Sequence, residues 1–212
     1  MKKEEIARLC ELGVATVYEA SGRHGLIDMP LIQLIPGSRI AGPARTVLCG
    51  QDDNLMVHAV IETIQPGEVL VLGMPEPAPV ALIGELLATQ VRVRGAAGIL
   101  VDAAVRDVAE LVEMDLPIWM RFIRVKGATK DKVGELNVPV LIGGTQIFPS
   151  DIIVLDADGG VCVSQEHFSE VLSASEARAR HEMTLREKLV AGETSFNLHE
   201  LREVFEKNRR KP

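Results

Sequence analysis

The residues best suited to chemistry lie in one block, residues 84–107, GELLATQVRVRGAAGILVDAAVRD. Its centre, GILVD, reads as a buried strand that ends in an acid, and Arg106 and Asp107 follow at the start of a predicted helix. In open α/β sheets, ligands collect beyond the carboxyl ends of the strands. Arg106 offers a planar fork of donors that matches a carboxylate. Asp107 offers a hard oxygen to a divalent cation. Adjacent in sequence, the two are suited to holding an anion and a metal together. Residues 84–87, Gly84, Glu85, Leu86 and Leu87, open a second helix. N–H groups in a first helical turn lack carbonyl partners and attract an anion or oxyanion. Glu85 adds a carboxylate there. A plainer account of the same residues is a helix cap and a surface ion pair in front of an ordinary helix.

The elements that must position this block follow from periodicity and punctuation. Ile6, Leu9, Cys10 and Leu12 fall at helical spacing and Gly13 stops the turn, and a short helix is predicted over residues 14–20. Residues 39–49 read as extended, with Gly42–Pro43 as a local break. Asp52 and Asp53 sit where an N-cap belongs, before a helix carrying Leu55, Met56, Ala59, Val60 and Ile64. EVLVL at 68–72 reads as a buried strand, residues 73–79 as a proline-rich loop, and residues 80–94 as a helix closed by Gly95. A short helix at 108–114 follows the Arg106–Asp107 pair. Strands are predicted at 118–120, 122–125, 138–142, 146–148, 152–155 and 161–164. A long helix from 166 to about 191 and a last one over 197–207 complete the chain. This pattern indicates a mixed α/β domain over residues 1–165 and a helical C-terminal extension over residues 166–212.

Composition narrows the function. Of 212 residues, 47 % are hydrophobic and only 3 % aromatic, so the core is aliphatic and the chain too apolar for disorder. A net charge of −7 with few aromatic faces argues against a nucleic-acid partner. The basic end (Lys207, Arg209, Arg210, Lys211) reads as a solvated helix end. No apolar run is long enough to cross a membrane, and the acid-bearing start does not read as a signal peptide. Three widely spaced cysteines, Cys10, Cys49 and Cys162, fit small buried hydrophobes in a reducing cytoplasm.

Competing motifs are weak. The histidines (24, 58, 167, 181 and 199) show no zinc-ligand spacing. No serine lies in a GxSxG context, and no GxGxxG joins a strand to a helix. The DADGG segment at 156–160 lacks the downstream spacing of a calcium loop and reads as a β-turn.

GELLAT, RGAAGILVDAAVRDVAEL, LPIW, NVPVLIGG, FPSD and DADGGV together resemble the RraA-like family, over residues 13–164. That family includes 4-hydroxy-4-methyl-2-oxoglutarate / 4-carboxy-4-hydroxy-2-oxoadipate aldolases and protein inhibitors of ribonuclease E. The resemblance implies a β/β/α swivelling-domain core that assembles as homotrimers, sometimes paired into hexamers. In the aldolase branch it implies that Arg106 binds the carboxylate of a pyruvate-like moiety. Asp107 would hold Mg²⁺ or Mn²⁺, partly through waters, and Glu85 would order metal-bound water. The amides of Gly84, Glu85, Leu86 and Leu87 would meet the substrate. The continuation RARHEMTLREKLVAGETSFNLHELREVF resembles the aldolases' C-terminal extension, in which a glutamate reaches a neighbouring subunit's site. Glu182 matches best by spacing, with Glu187 and Glu193 as alternatives and a solvated charged face as the plainer account. The implied activity is a metal-dependent retro-aldol cleavage of a 4-hydroxy-2-oxo acid to pyruvate and a second oxo acid, with oxaloacetate decarboxylation as a side activity. The alternative is a non-catalytic regulator of ribonuclease E. This chain departs from the family's pattern at Ala103–Ala104, in the proline-rich loop before GELL, and at Ser150.

Overall fold

The computed structural model describes residues 2–209; Arg210 and Lys211 of the basic end lie outside the described residues. The chain divides into two compact units, the first ending at Ser175 and the second beginning at Glu176.

The first unit is built on a parallel run of strands. β2 (Ile40–Leu48), β3 (Val69–Gly73), β5 (Gly98–Val105) and β6 (Ile118–Ile123) lie side by side in the order β6-β5-β3-β2, all parallel. β1 (Ile32–Gln33) closes the β6 edge, and β10 (Ile152–Asp156) with β11 (Gly159–Val163) extends the β2 edge, all three antiparallel. Two short strands pair with strand ends: β4 (Ala81–Ile83) with β5 and β7 (Glu135–Leu136) with β2. The hairpin β8 (Val140–Ile142) and β9 (Thr145–Ile147) stands apart as its own sheet.

Both faces of this sheet are covered, which is why its strands read as continuous apolar runs rather than alternating ones. On one face, α3 (Leu55–Ile61), α4 (Glu85–Val93) and α5 (Val108–Glu113) bury Val57, Val60, Leu87, Val91 and Leu111 against Val101, Ala103 and Val105. On the other, Val140, Ile142 and Ile147 pack with Val71, Leu100 and Trp119. The Trp119 indole N–H donates to the Asp156 carbonyl at 2.9 Å, so the chain's one tryptophan is buried without an unpaired donor. α1 (Lys3–Leu12) and α2 (Val14–Ala20) cover β10 and β11 through Leu9, Val14 and Val17. Asp156 ties this layer down by accepting from the Val14 N–H at 2.9 Å.

Several local expectations need correction. Residues 80–83 are not helical: Ala81–Ile83 is strand β4, and the helix begins only at Glu85. A short apolar run has no periodicity to separate strand from helix, and here the open edge of β5 decides. β5 itself continues past Asp102 to Val105. The expected break at Gly42–Pro43 is absent. Pro43 sits where β2 changes partner, from β10 to β3, so its missing N–H interrupts no parallel ladder. The two strands expected over residues 118–125 form one, β6. Asn54 rather than Asp52 or Asp53 is the α3 cap position, although Asp53 Oδ1 accepts the Leu55 N–H at 2.8 Å. The last predicted helix is two, α7 (Ser195–Leu198) and α8 (Leu201–Arg209), divided at Glu200 with φ 53°.

The helix α6 (Phe168–Val190) buries Phe168, Val171 and Ser175 in the first unit, at its start. In the second unit, Phe196 meets Phe205 edge to face at 5.9 Å, and the Arg202 guanidinium lies over the Phe196 ring at 5.1 Å. No helix among the described residues is long and apolar enough to cross a membrane.

Candidate active site

β5 delivers Arg106 and Asp107 at its carboxyl end, and β4 delivers Gly84 and α4 beside them. The Arg106 N–H donates to the Ile83 carbonyl at 3.1 Å, which locks the end of β5 to the residue before Gly84. Asp107 then takes a left-handed conformation, φ 60° and ψ 45°, at the start of α5. Asp tolerates this region better than most residues, and the turn aims its carboxylate away from its own helix. The carboxylate reaches across to α4 instead: Asp107 Oδ2 accepts the Glu85 N–H at 3.0 Å.

Arg106 lies alongside, its Nε 3.7 Å from Asp107 Oδ2. Its guanidinium makes no hydrogen bond to protein among the described residues, so its donors stay available. The two side chains are 49 % and 42 % exposed, so the pair sits in solvent and contributes little to stability. Gly84 makes the close approach possible: a Cβ there would lie 2.5 Å from Asp107 Oδ2 and 3.2 Å from Arg106 Nε. The α4 N-terminus is left with the Leu86 and Leu87 N–H groups beyond the reach of any helical carbonyl. Glu85 Oε1 accepts the Thr89 hydroxyl at 3.3 Å, which steers this carboxylate along the helix.

The structure therefore brings Gly84, Glu85, Arg106 and Asp107 together. Leu86 is 76 % exposed at the same end of α4, whereas the Leu87 side chain is buried in the core and contributes only its backbone. Glu182 lies in the second unit, where its Oε1 pairs with Arg178 Nε at 2.8 Å. Asp102, the acid that ends GILVD, is a structural group: it is buried on β5 and paired with Arg121 of β6.

Sequence reasoning missed a strap over residues 126–132. Ala81 N–H donates to the Lys126 carbonyl at 2.7 Å, and Gly127 bridges to Ala81. Further on, the fully buried Asp53 accepts at one oxygen from the Thr129 hydroxyl (2.6 Å) and the N–H groups of Asp131 (2.7 Å) and Lys132 (3.1 Å). Burial alone would raise the Asp53 pKa, but these bonds and the one from Leu55 outweigh it and hold the carboxyl well below the usual range. The only sequence signal was the pair Asp52–Asp53, which reads as a helix cap. Asn54 beside it donates to the Leu82 carbonyl at 3.1 Å, and its Oδ1 is buried with no protein partner.

The cysteines are free thiols, with Cys49 and Cys162 buried and Cys10 half-buried. Burial pushes the Cys49 thiol up to about 12 and Cys162 higher still, so neither is a nucleophile near neutral pH. A cavity of about 750 Å³ is lined by Ser21, His24, Cys162, Ser164 and His167 among others and includes none of the site residues. The Arg106–Asp107 site is marked out by its half-exposed donors and acceptors.

Comparison with known proteins identifies the family and the fold. Residues 7–162 match the RraA-like family described as Aldolase/RraA, and the chain belongs to that family. A Halalkalibacterium halodurans protein named "Putative 4-hydroxy-4-methyl-2-oxoglutarate aldolase" is 32 % identical over 140 residues, which are 66 % of this chain and 67 % of the relative. The crystal structure of Streptomyces coelicolor RraAS2, described as an unusual member of the RNase ES inhibitor RraA protein family, superposes with a TM-score of 0.76 at 28 % identity. It covers 88 % of this chain and 97 % of that one. The RNA-processing inhibitor RraA from Thermus thermophilis gives 0.59 at 28 % identity, over 66 % and 82 % of the two chains. The fold is thus the α/β swivelling type of the RraA proteins, with a helical C-terminal region.

Proposed function

We propose that this protein is a divalent-metal-dependent C–C lyase that cleaves a 4-hydroxy-2-oxo acid to pyruvate and a second oxo acid. One observation carries the reading: a guanidinium with all its donors available, a carboxylate and unpaired first-turn N–H groups converge at the strand ends around Gly84. Arg106 lies beside the Asp107 carboxylate without a hydrogen bond to it, which leaves its planar fork free to grip a ligand carboxylate.

The donor chemistry fits Mg²⁺ or Mn²⁺. Among the described residues no three His, Cys, Asp or Glu side chains come together as a metal cage. Mg²⁺ does not need one, since it keeps several waters and takes one or two carboxylates. Asp107 would hold the ion and Glu85 would order its water. When bound, the cation supplies Lewis-acid polarisation of the 2-oxo group and charge to balance an enolate.

The chain's own groups do the rest. Arg106 binds the 1-carboxylate, and the Leu86 and Leu87 N–H groups orient the substrate's oxygens. Breaking the C3–C4 bond sends its electron pair to C3 as the 4-hydroxyl proton leaves. Glu85 and the Glu182 carboxylate of a second copy are the acceptors we propose for that proton. Protonation at C3 completes pyruvate, and the same enolate accounts for oxaloacetate decarboxylation. Assembly as a homotrimer or hexamer, in the cytoplasm, completes the proposal: Leu86 and Val125, at 76 % and 87 % exposure, are large apolar groups that an assembly would cover. In this proposal residues 1–165 are the catalytic core and residues 166–212 are the extension that carries Glu182.

Purified protein with Mg²⁺ or Mn²⁺ should release pyruvate from oxaloacetate and from a panel of 4-hydroxy-2-oxo acids, and EDTA should abolish it. Release no faster than with the metal alone would sink the lyase reading. A second reading, a ring that regulates ribonuclease E by binding it, is supported by what the two structural relatives are named for. Stable capture of that enzyme by a protein without lyase activity would put it first.

A further inference from the structure

Arg106 runs through a slot between two glycine backbones. On one side its Nε is 3.2 Å from where a Cβ on Gly84 would stand. On the other its Nη1 is 2.8 Å from where a Cβ on Gly127 would stand. In the sequence Gly127 lies outside the block that carries the chemistry, 21 positions beyond Arg106. We infer that Gly127 is a positioning residue: the strap it belongs to forms the back wall that fixes the Arg106 guanidinium, and hence the direction in which the substrate carboxylate is held. The inference rests on the lyase reading for the ligand, but the wall itself does not.

Three features make this a wall rather than a chance contact. First, the strap is pinned on both sides of Gly127. The Lys126 carbonyl accepts from Ala81 of β4 at 2.7 Å, and Thr129 exchanges backbone bonds with Asp52 and Asn54, both at 3.0 Å. Second, the pin beyond Thr129 is the buried Asp53, whose carboxylate gathers Thr129, Asp131 and Lys132. Backbone so held does not retreat when a side chain is added. Third, Gly127 is outside the left-handed region, so its backbone admits an L residue without strain. The lack of a side chain at Gly127 is therefore a matter of space, and the space is filled by the arginine.

The consequence is specific. An alanine methyl at Gly127 must move Nη1 from 2.8 Å to the ordinary contact of at least 3.4 Å. Nη1 is the far end of a flexible side chain, so the protein folds and the guanidinium is displaced by more than half an ångström. Losing one charge-assisted hydrogen bond of the two-pronged grip weakens carboxylate binding by about 10- to 100-fold, and that loss is expected here.

The test needs a readout that general destabilisation does not give. In ¹⁵N spectra, the Arg106 Nε–H resonance, assigned by its loss in Arg106→Lys, should shift in Gly127→Ala, with the thermal midpoint little changed. Oxalate, measured with Mg²⁺ present, should bind about 10- to 100-fold more weakly. In an Arg106→Lys background the Gly127→Ala change should add little, since the group it displaces is gone. Thr129→Val, which removes one pin of the strap and adds nothing at the site, should broaden the same resonance, and it serves if Gly127→Ala does not fold. An unmoved Arg106 resonance in the folded variants, or an equal further loss of oxalate binding in the Arg106→Lys background, overturns the inference. Absence of pyruvate release by the wild type refutes the lyase reading alone, and the resonance still decides the role of Gly127.

Discussion

Gly84→Ala tests the site most directly, because its effect can be worked from distances. Gly84 has φ −138°, so alanine adds no backbone strain there. The methyl would stand 2.5 Å from Asp107 Oδ2, and ordinary contact begins at 3.4 Å. The carboxylate must therefore give way by about 0.9 Å, the difference of those distances. That movement breaks its 3.0 Å bond from the Glu85 N–H. A hydrogen bond to a charged group contributes about 1.5–3 kcal/mol when water is excluded. Asp107 is 42 % exposed, so water replaces much of it and about 1 kcal/mol remains. Alanine is also a poorer N-cap than glycine, by about 0.5–1 kcal/mol. Together these give about 2 kcal/mol, or a fall in Tm of roughly 4–8 °C for a chain of this size. Turnover should fall far more, about 100-fold, because Asp107 and Arg106 Nε are both displaced. Pyruvate release coupled to NADH oxidation by lactate dehydrogenase, beside a thermal melt, separates the two effects. A folded variant that keeps near-normal turnover would refute the reasoning, since the residues that must move would then not be the ones that act.

Other expectations follow from the same geometry. Arg106→Lys should fold normally and lose at least tenfold in kcat/KM in the same assay, because an ammonium cannot reproduce the two-pronged grip on a carboxylate. Asp107→Asn keeps a residue that tolerates φ 60° and an oxygen for the Glu85 N–H, so its melt should match wild type within about 1 kcal/mol while metal-dependent turnover falls by about 100-fold or more. Asp53 has its folded pKa depressed, so its contribution to stability is full above the unfolded value near pH 4 and is lost as pH falls below it. Urea unfolding from pH 7 to pH 3 should show the gap between wild type and Asp53→Asn narrowing below about pH 4, and a gap that stays constant would exclude the ionised carboxylate as the clamp.

Much of the fold was legible in local patterns. EVLVL, GILVD and the apolar runs at 138–163 gave strands because β-branched residues bounded by Gly, Pro and Asp leave little alternative. Helices α1 and α2 were placed by spacing and by Gly13. The errors fall where a neighbour rather than the segment decides. Ala81–Ile83 became a strand because β5 offered an unpaired edge. Pro43 was tolerated because β2 changes partners beside it. β1 and β7, two residues each, exist only as edges of longer strands. Residues 197–207 broke at Glu200, where no proline or glycine marks a stop.

The candidate site divides in the same way. The sequence by itself determined its chemistry: a guanidinium and a carboxylate side by side after a buried strand, and a glycine-led helix start with an acid. Those are properties of residue type and short spacing, which a single chain displays directly. Only the tertiary structure decided that Asp107 bonds to the α4 N–H rather than capping its own helix, that Asp102 belongs to Arg121, and that Gly127 closes in behind Arg106. Each of these joins segments about 20 residues apart through the parallel pairing of β5 with its neighbours. Such contacts depend on which strand ends lie side by side, and no local pattern in the sequence encodes that.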